Sequence, residues 1–335
     1  MESLFIIGAG AGVDYDMPTG ADLISKIGAL AQQSIYVSGQ NNSEIDQVIA
    51  LATKGLNKNS EIADGMRRIA RGIWFSSSID TFINDSNHEG VKLAGKILIA
   101  YILSEREQNC PISANKFESS SWGYQSKGFR EKWLTPFFRT IRAQIPKQEL
   151  PDRLSKLKII NFNYDRLLEN FLFQAFKLHD GCEVSEAADL TSKIEIIHPY
   201  GSLGRLPEFP NDSTTAIPFG PSKKELARQQ LHKKILTFNE AVDDEIGQRT
   251  KQLVQQAYTT TFLGFGFHKQ NMDLLGYPLG RSSRLTYVSS HSTPDSVNDL
   301  HSARIETQVR NRPKIRFVSG SCANIFNEYG QLLFR

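Results

Sequence analysis

The sequence of 335 residues predicts an α/β protein: a Rossmann-like parallel sheet with a helical insertion after the first strand-helix unit. Two observations predict this class. Short apolar runs that end in small or polar residues alternate with helical segments in the second half of the chain. The stretch from about residue 21 to 155, in contrast, has helical spacing and polar loops but no strand pattern. We therefore expect residues 1–335 to form one Rossmann-like domain, with the insertion as a smaller lobe.

The first unit is a buried strand that runs into a turn and then a helix. The apolar run "SLFIIGAG" ends in glycine, as strands that enter tight turns often do. Thr19 and Asp22 have the spacing of a capping box, in which each side chain accepts from the other residue's backbone. They precede an amphipathic pattern, so the spacing predicts a helix that starts near residue 20.

The insertion continues with three helical patterns, a polar loop and one further helix. The patterns are "SEIDQVIALATKGL", "EIADGMRRIARGIWF" and "EGVKLAGKILIAYILSERE". The loop covers residues 109–127 and contains many turn-forming residues. The last helix, "FREKWLTPFFRTIRAQI", is expected to be interrupted near Pro136.

Strands and helices alternate after the insertion. The predicted strands are "LKIINFN", "KIEIIHPYGSL", "TTTFLGFGF", "SRLTYVSS" and "KIRFVSGSC". The charged stretch from residue 223 to 252 is predicted to be helical, with a solvated surface. Because parallel strands need crossover connections, this alternation indicates a parallel sheet.

Composition excludes several classes of function. The net charge of +3 and the lack of a basic cluster argue against nucleic-acid binding. Three scattered cysteines without a CxxC pair argue against a disulfide framework and a structural zinc site. No apolar run approaches the roughly 20 residues that span a membrane, and the N-terminus lacks the pattern of a signal peptide. We therefore expect a cytoplasmic protein.

The turn after the first strand carries glycine at alternate positions, Gly8, Gly10 and Gly12. Glycines between a parallel strand and a helix let the backbone approach a pyrophosphate. The dinucleotide fingerprint is incomplete, however, because Val13 replaces its third glycine and no second strand with an acidic residue follows. A turn that packs tightly against the sheet explains the same glycines without a ligand.

Four predicted strands end in polar or glycine-rich sequence, namely "GAGAGVDYD", "NFNYD", "HPYGS" and "GFGFHKQN". Such ends meet at the carboxyl edge of a parallel sheet, where α/β proteins bind ligands. These motifs, in this order and together with "SSIDTFI" at 77–83, resemble the sirtuin-like family. They resemble most closely its bacterial branch of NAD-consuming antiphage defence proteins, over roughly residues 3 to 275.

The resemblance implies a Rossmann-like core, NAD⁺ as the substrate and cleavage of the nicotinamide–ribose bond. Sirtuin deacylases also carry a zinc module with four cysteines, which these residues do not provide. The departure favours an NAD⁺ hydrolase (NADase) without a metal over a protein deacylase.

The resemblance also implies the site residues. Asn163 and Asp165 match an Asn-x-Asp motif, in which the carboxamide holds the ribose or the attacking water and the carboxylate anchors the loop or the nicotinamide amide. The family's next motif is a His-Gly pair, but here Tyr200 precedes Gly201. His198 lies two residues before Tyr200, and because residues i and i+2 of a strand share a face, His198 is expected to act as the general base.

The expected NAD⁺-binding residues come from all four motifs and from two later strand ends. They are Gly8, Ala9, Gly10, Asp14, Tyr15, Tyr200, Gly201, Ser202, Gly264, Gly266, Phe267, Asn271, Ser289 and Ser321. Asp80 is expected to face the site from the insertion. Structural roles remain open for several of them: Asn163 and Asp165 as a strand-end turn and helix cap, His198 as a packed strand end, and Phe267 as core.

The predicted function is NAD⁺ hydrolysis that releases nicotinamide and ADP-ribose and depletes cellular NAD in antiphage defence by abortive infection. The resemblance implies control by a homo-oligomer or a separate partner, such as a ring ATPase, a nucleotide-sensing protein or an Argonaute-like protein. Three alternatives remain: a non-catalytic NAD or ADP-ribose binding regulatory subunit, which Tyr200 at the family's histidine position supports; a zinc-free deacylase; and a dehydrogenase.

Overall fold

The computed structural model describes residues 2–37, 44–54, 59–113, 126–209, 216–242, 245–276, 285–291, 293–306 and 314–334. Its centre is a six-stranded, all-parallel sheet in the order β3-β2-β1-β4-β5-β6. The strands are β1 (Ser3–Ile7), β2 (Leu157–Asn161), β3 (Glu195–Ile197), β4 (Thr259–Leu263), β5 (Leu285–Ser290) and β6 (Lys314–Ser319). This is the strand order of a Rossmann-like fold, so the predicted fold class is confirmed. The order reverses between β1 and β4, which opens a crevice above their carboxyl ends.

The described residues between β1 and β2 contain helices and loops but no strand. Their α-helices are Gly20–Val37, Glu44–Ala52, Asn59–Gly72, Ile79–Ser86, Glu89–Asn109, Leu134–Arg142 and Leu150–Ser155. The helices that follow β2 are Leu167–Asp180, Val184–Ser192, Lys223–Arg228, Phe238–Val242, Glu245–Gln256, Lys269–Leu274, Asp295–Glu306 and Cys322–Tyr329. Within the described ranges, none of the helices is long and apolar enough to cross a membrane.

The central strand β1 is buried on both faces, and its alternate residues serve two different cores. Leu4 and Ile6 pack in one core with residues of the insertion such as Ile27. Phe5 and Ile7 pack in the other core with aromatic residues such as Phe137. The period of two in a strand therefore explains why its apolar run is continuous. The division of the chain into a main and a smaller lobe stays a prediction.

The capping box is present at the start of the helix Gly20–Val37. The backbone N–H of Thr19 donates to Asp22 Oδ2 at 2.9 Å, and that of Asp22 donates to Thr19 Oγ1 at 3.2 Å. Pro136 does not break its helix, because it occupies the first turn of Leu134–Arg142, where a backbone N–H has no helical acceptor. The interruption predicted near Pro136 is therefore wrong, and the break lies earlier, between the 3₁₀ helix Ser126–Glu131 and Leu134.

The charged stretch that begins at residue 223 was predicted to be one helical segment, but the structure divides it into several short helices. A 3₁₀ helix, Leu231–Lys234, separates Lys223–Arg228 from Phe238–Val242. Gln230 precedes it in the left-handed conformation, with φ of 48°, which ends the first helix. The breaks allow Leu231 and Ile235 to reach the core. The prediction followed the polar composition and missed this tertiary constraint.

One buried ion pair joins the insertion to the sheet. The guanidinium of Arg166 donates to both carboxylate oxygens of Glu107, and both side chains are buried. Arg166 also donates to the carbonyls of Ile217 at 2.7 Å and Pro218 at 2.8 Å. Glu107 accepts in addition from the backbone N–H groups of Arg166 and Gly220, each at 2.9 Å. The pair thus connects the helix Glu89–Asn109, the loop after β2 and the segment 217–220.

We expect Glu107→Gln to destabilise the protein by about 3–5 kcal/mol, because the amide keeps the shape of the side chain but leaves the Arg166 charge buried without a counter-charge. The measurement is the free energy of unfolding in urea. Glu186→Gln is the control, since Glu186 pairs with Lys147 at the surface and its loss should not move the unfolding midpoint. Equal midpoints for the two variants would contradict the structural role of the buried pair.

Candidate ligand-binding cleft

A cleft of about 620 Å³ lies at the carboxyl ends of β1, β2 and β4, where the strand order reverses. This volume is in the range of small-molecule and cofactor sites. The expected site residues that line it are Gly8, Ala9, Gly10, Asp80, Asn163, Asp165, Tyr200, Gly264, Gly266 and Asn271. The fold therefore brings together residues from all four strand-end motifs and one residue from the insertion.

The floor of the cleft is backbone, because the turns after β1 and β4 lie in direct contact. The N–H of Gly8 donates to Leu263 O at 2.9 Å, and that of Gly10 donates to Gly264 O at 3.0 Å. Gly264 has φ of 55°, and a Cβ on it would lie 2.0 Å from the Ala11 nitrogen. Glycine is needed here so that the two turns can pack together. The amides of Gly8 and Gly10 are thereby used within the protein, whereas both were expected to contact pyrophosphate.

Two α-helices begin at the cleft. Thr19, Gly20 and Ala21 line it at the start of the helix Gly20–Val37. Ser78 also lines it and caps the helix Ile79–Ser86, with its Oγ accepting from the Thr81 N–H at 3.0 Å. Because helix N-termini carry partial positive charge and unpaired N–H groups, this end of the cleft suits an anionic ligand.

Asn163 is held at the cleft by its neighbours. Its Nδ2 donates to Gly8 O at 3.3 Å, and its backbone N–H donates to Asn161 Oδ1 at 3.1 Å. Its Oδ1 makes no hydrogen bond to any described residue, so it is available as an acceptor. A hydroxyl or a water in the cleft is the kind of group this fixed carboxamide can bind.

An aromatic wall closes another side of the cleft. Phe162 packs against Tyr200 and Phe265, with ring centroids 5.7 and 5.1 Å apart. The Tyr200 hydroxyl donates to Asn271 Oδ1 at 2.8 Å. Burial, assisted by the Asp80 charge, raises the pKa of Tyr200 above its ordinary value. The phenol is therefore a proton donor at neutral pH and cannot serve as a base.

The carboxylate of Asp80 faces this wall from the insertion. It accepts a short hydrogen bond from the Tyr164 hydroxyl. Burial raises the pKa of Asp80, and the Tyr164 hydrogen bond opposes the increase only in part. Asp80 is therefore a candidate proton acceptor within the cleft.

His198 is placed differently from the prediction of a cleft-facing base. Its Nδ1 lies 2.7 Å from the backbone oxygen of Asn163, and its Nε2 lies 2.7 Å from Glu169 Oε1. It is not among the residues that line the cleft. The i/i+2 argument fails because β3 ends at Ile197 and a turn follows, with the Gly201 N–H donating to His198 O. The strand alternation does not extend to Tyr200.

The hydrogen bonds of His198 favour its charged form. Both partners are acceptors, so a protonated ring satisfies them and a neutral ring cannot. Burial lowers the pKa of His198, but the charge and hydrogen bond of Glu169, with the Asn163 carbonyl, outweigh it and raise the pKa overall. His198 is therefore suited to holding the backbone of Asn163.

Asp14 and Tyr15 do not line the cleft. The residues after Gly8 form a 3₁₀ helix, Ala9–Tyr15, whereas Asp14 and Tyr15 were expected to bind NAD⁺. This helix places Tyr15 in the core on the other face of the sheet, where its hydroxyl accepts from the Leu134 N–H at 3.2 Å. The Tyr15 ring is therefore part of this core.

Gly201, Ser202 and Phe267 also lie outside the cleft lining. A Cβ on Gly201 would lie 1.9 Å from Lys234 O, so this glycine accommodates the backbone of a neighbouring segment. Ser202 lines a different cavity. Phe267 is buried and stacks on His301 with centroids 4.4 Å apart, so it belongs to the core.

Ser289 and Ser321 act at a distance from the cleft. The Oγ of Ser289 accepts from the Gly264 N–H at 2.8 Å, which fixes the turn after β4. Ser321 precedes the helix Cys322–Tyr329, and its hydroxyl donates to Asn324 Oδ1 at 3.1 Å. Neither residue lines the cleft, although both were expected to bind NAD⁺.

Sequence reasoning missed several polar residues of the lining. Thr19, Ser77, Ser78, His268 and Gln270 line the cleft but were not among the expected site residues. The sequence contains only weak signals for these residues. Thr19 and Ser78 are of the residue types that cap helices, and His268 belongs to the strand-end motif "GFGFHKQN". A cap residue indicates a helix start, and only the fold shows which helix starts meet at one site.

Asp165 is buried at the base of the cleft, and its Oδ1 accepts from the Leu167 N–H at 3.1 Å. Burial raises the pKa of this carboxyl to about 7, and the nearby charge of Glu107 adds to the increase. The N-cap of the helix Leu167–Asp180 is Arg166, so Asp165 does not have the expected cap role; its contact two residues on is that of an Asx turn. Its carboxyl is perturbed in the way found at functional sites.

The raised pKa of Asp165 predicts a pH-dependent stability. Protonation is favoured in the folded state, so this group lowers the stability as pH rises from about 4 to about 7, with no further change above that. Asp165→Asn removes this ionisation. The free energy of unfolding of the variant, minus that of the wild type, should therefore be larger at pH 8 than at pH 5 by a few kcal/mol, the size that the raised pKa of Asp165 implies. Urea unfolding at both pH values tests this. An equal difference at both values would contradict a titrating Asp165.

The described residues contain no group of three or more His, Cys, Asp and Glu side chains that could hold a metal ion. The three cysteines are buried free thiols. No protein-family model and no curated protein matches this chain.

Proposed function

We propose that this protein is an NAD⁺ glycohydrolase and that the cleft at the β1/β4 reversal is its active site. The observation that carries the proposal is the position of Asn163, whose carboxamide oxygen is an available acceptor beside a backbone floor and two helix N-termini. The motif resemblance supports the same assignment, because the matching motifs converge at this cleft.

The proposed binding mode follows the charge distribution. The pyrophosphate lies at the N-terminal end of Gly20–Val37, where partial positive charge is available, and away from the Asp80 carboxylate in the first turn of Ile79–Ser86. The nicotinamide ribose lies by Asn163, whose Oδ1 accepts from a ribose hydroxyl or from the attacking water. Asp165, protonated in part near neutral pH because its pKa is about 7, donates to the nicotinamide carboxamide.

In the proposed reaction the bond between ribose C1′ and the nicotinamide nitrogen breaks, and its electron pair leaves with neutral nicotinamide. Positive charge develops on the ribose, and a water oxygen forms the new bond to C1′. The water proton passes to the carboxylate of Asp80, which lines the cleft and has a raised pKa. The Tyr200 hydroxyl donates to Asn271, so it orients the ribose or the water by accepting a hydrogen bond through its oxygen.

Regulation completes the proposal, since depletion of NAD would harm the host cell. We place the protein in the cytoplasm, as a defence enzyme held inactive until a homo-oligomer, a partner protein or a ligand activates it. The motif resemblance is the support for this part, and it includes the partner classes of ring ATPases, nucleotide-sensing proteins and Argonaute-like proteins.

The second candidate is a non-catalytic subunit that binds NAD or ADP-ribose. The observation that favours it is Tyr200, a phenol with a raised pKa at the position of the family's catalytic histidine. His198, the nearest histidine in sequence, is turned toward Glu169. A binder would retain affinity for NAD⁺ and would release no nicotinamide.

Asn163→Ala should reduce nicotinamide release from NAD⁺ by about 100-fold or more, the usual effect of removing one polar group that acts in the transition state. The assay follows nicotinamide with purified protein, alone and with candidate partners. Asn327→Ala, on an exposed helix position, is the matched control and should retain activity. Activity of Asn163→Ala at the wild-type level would remove this residue from the mechanism, and a silent wild type that still binds NAD⁺ would support the second candidate.

Asp80→Asn should lower kcat by on the order of 10²-fold or more, because the amide cannot accept the proton of the attacking water. NAD⁺ affinity, measured by calorimetry, should change little because the variant keeps the shape of the cleft. Asp85→Asn is the control from the same helix, since Asp85 is exposed. A normal kcat in Asp80→Asn would show that another group takes the proton.

A further inference from the structure

A second cavity, of about 470 Å³, shares no lining residue with the cleft. It lies between the helices Leu167–Asp180 and Val184–Ser192, strand β3 and the chain that follows Gly201. We refer to it as the Glu169 cavity. Its apolar walls include Ile194, Leu206 and Phe209.

Two cationic side chains, Arg205 and Lys234, line the Glu169 cavity. Arg205 is exposed and Lys234 is half-buried, and neither side chain forms a hydrogen bond or an ion pair with a described residue. In contrast, the buried Arg166 in the same lining is saturated by Glu107 and backbone carbonyls. Arg205 and Lys234 are thus the groups at which an anion can bind.

Glu169 supplies an acceptor that also lacks a partner. Its Oε1 receives the hydrogen bond of His198, whereas its Oε2 is buried and makes no hydrogen bond with the residues that the structure describes. An unpaired buried carboxylate oxygen is costly, and native proteins satisfy most such atoms. A donor from a bound molecule would satisfy it.

We propose that the Glu169 cavity binds a small phosphate ester with hydroxyl groups, and that its occupancy regulates the cleft. The phosphate contacts Arg205 and Lys234, and a hydroxyl donates to Glu169 Oε2. A free sugar phosphate and the sugar-phosphate part of a nucleotide share this chemistry. The carboxylate disfavours a bare anion, because a molecule without a donor would place negative charge beside Glu169.

The route to the cleft is a chain of two hydrogen bonds. Glu169 Oε1 lies 2.7 Å from His198 Nε2, and His198 Nδ1 lies 2.7 Å from the backbone oxygen of Asn163. A donor on Glu169 Oε2 withdraws charge from the carboxylate, which weakens its hold on His198 and on the loop of Asn163. Coupling between two sites is reciprocal, so NAD⁺ and the phosphate ester must change each other's affinity by the same factor. This regulatory part rests on the proposed function, but binding in the cavity does not.

Calorimetry on the full chain tests the binding, with ribose 5-phosphate and AMP as probes. The double variant Arg205→Ala/Lys234→Ala should weaken the binding of at least one probe by tenfold or more. Glu169→Gln should weaken it by about tenfold, since the amide keeps an acceptor for His198 but presents a donor to the cavity. The matched control Glu183→Gln, at an exposed carboxylate, should bind as the wild type does.

The two probes separate the sources of the ligand. Tight binding of ribose 5-phosphate identifies a free sugar phosphate as sufficient, and binding of AMP alone identifies a nucleotide. Two results would overturn the site. One is that neither probe binds. The other is that binding is unchanged in both the double variant and Glu169→Gln, since AMP whose affinity does not depend on these residues must occupy the cleft.

The coupling is tested by a readout independent of turnover. Addition of the bound probe should shift the NMR signals of the His198 ring and change NAD⁺ affinity, and it should do neither in Glu169→Gln. Unchanged His198 signals and NAD⁺ affinity with a bound probe would overturn the regulatory role. A wild type that binds the probe and NAD⁺ but releases no nicotinamide would refute the proposed hydrolase and leave the cavity assignment standing.

Discussion

The buried pair of Glu107 and Arg166 is the interaction on which the arrangement of the cleft depends. It fastens the helix Glu89–Asn109 to the loop after β2, where Asn163 and Asp165 lie. Each charge is expensive to bury alone, and the pair is tolerated because backbone groups satisfy the remaining donors and acceptors. Burial raises the pKa of Asp165 and the negative charge of Glu107 adds to the increase, so a structural contact also contributes to the protonation of a cleft residue.

The contact between the turns after β1 and β4 explains a second feature of the site. Gly8, Gly10 and Gly264 allow two backbones to meet where side chains would collide. The reversal of strand order at this point leaves room above the turns, because successive crossover connections run away from it on either side. The result is a backbone floor with helix N-termini beside it, an environment suited to a phosphate-bearing ligand.

A line of polar contacts runs from this cleft to the Glu169 cavity. His198 lies between them and joins a carboxylate to the backbone of Asn163. In the cleft, Tyr200 packs against Phe162 and donates its hydroxyl proton to Asn271. The imidazole and the phenol have therefore separate tasks: His198 supports the loop, and Tyr200 contributes to the wall of the cleft.

The parallel α/β fold, the helical insertion and the convergence of four strand-end motifs could be predicted from the sequence, because each depends on local periodicity and on the geometry of parallel strands. The sequence also predicts that Asn163 and Asp165 lie at this edge of the sheet, because they follow a predicted strand, and both line the cleft. The directions of the side chains beyond the strand ends could not be predicted, because they depend on tertiary packing. A turn removes His198 from the cleft, and a 3₁₀ helix buries Tyr15 in the opposite core. Alternation ends with the strand, so after that the path of the backbone and the packing of distant segments determine each side chain's position.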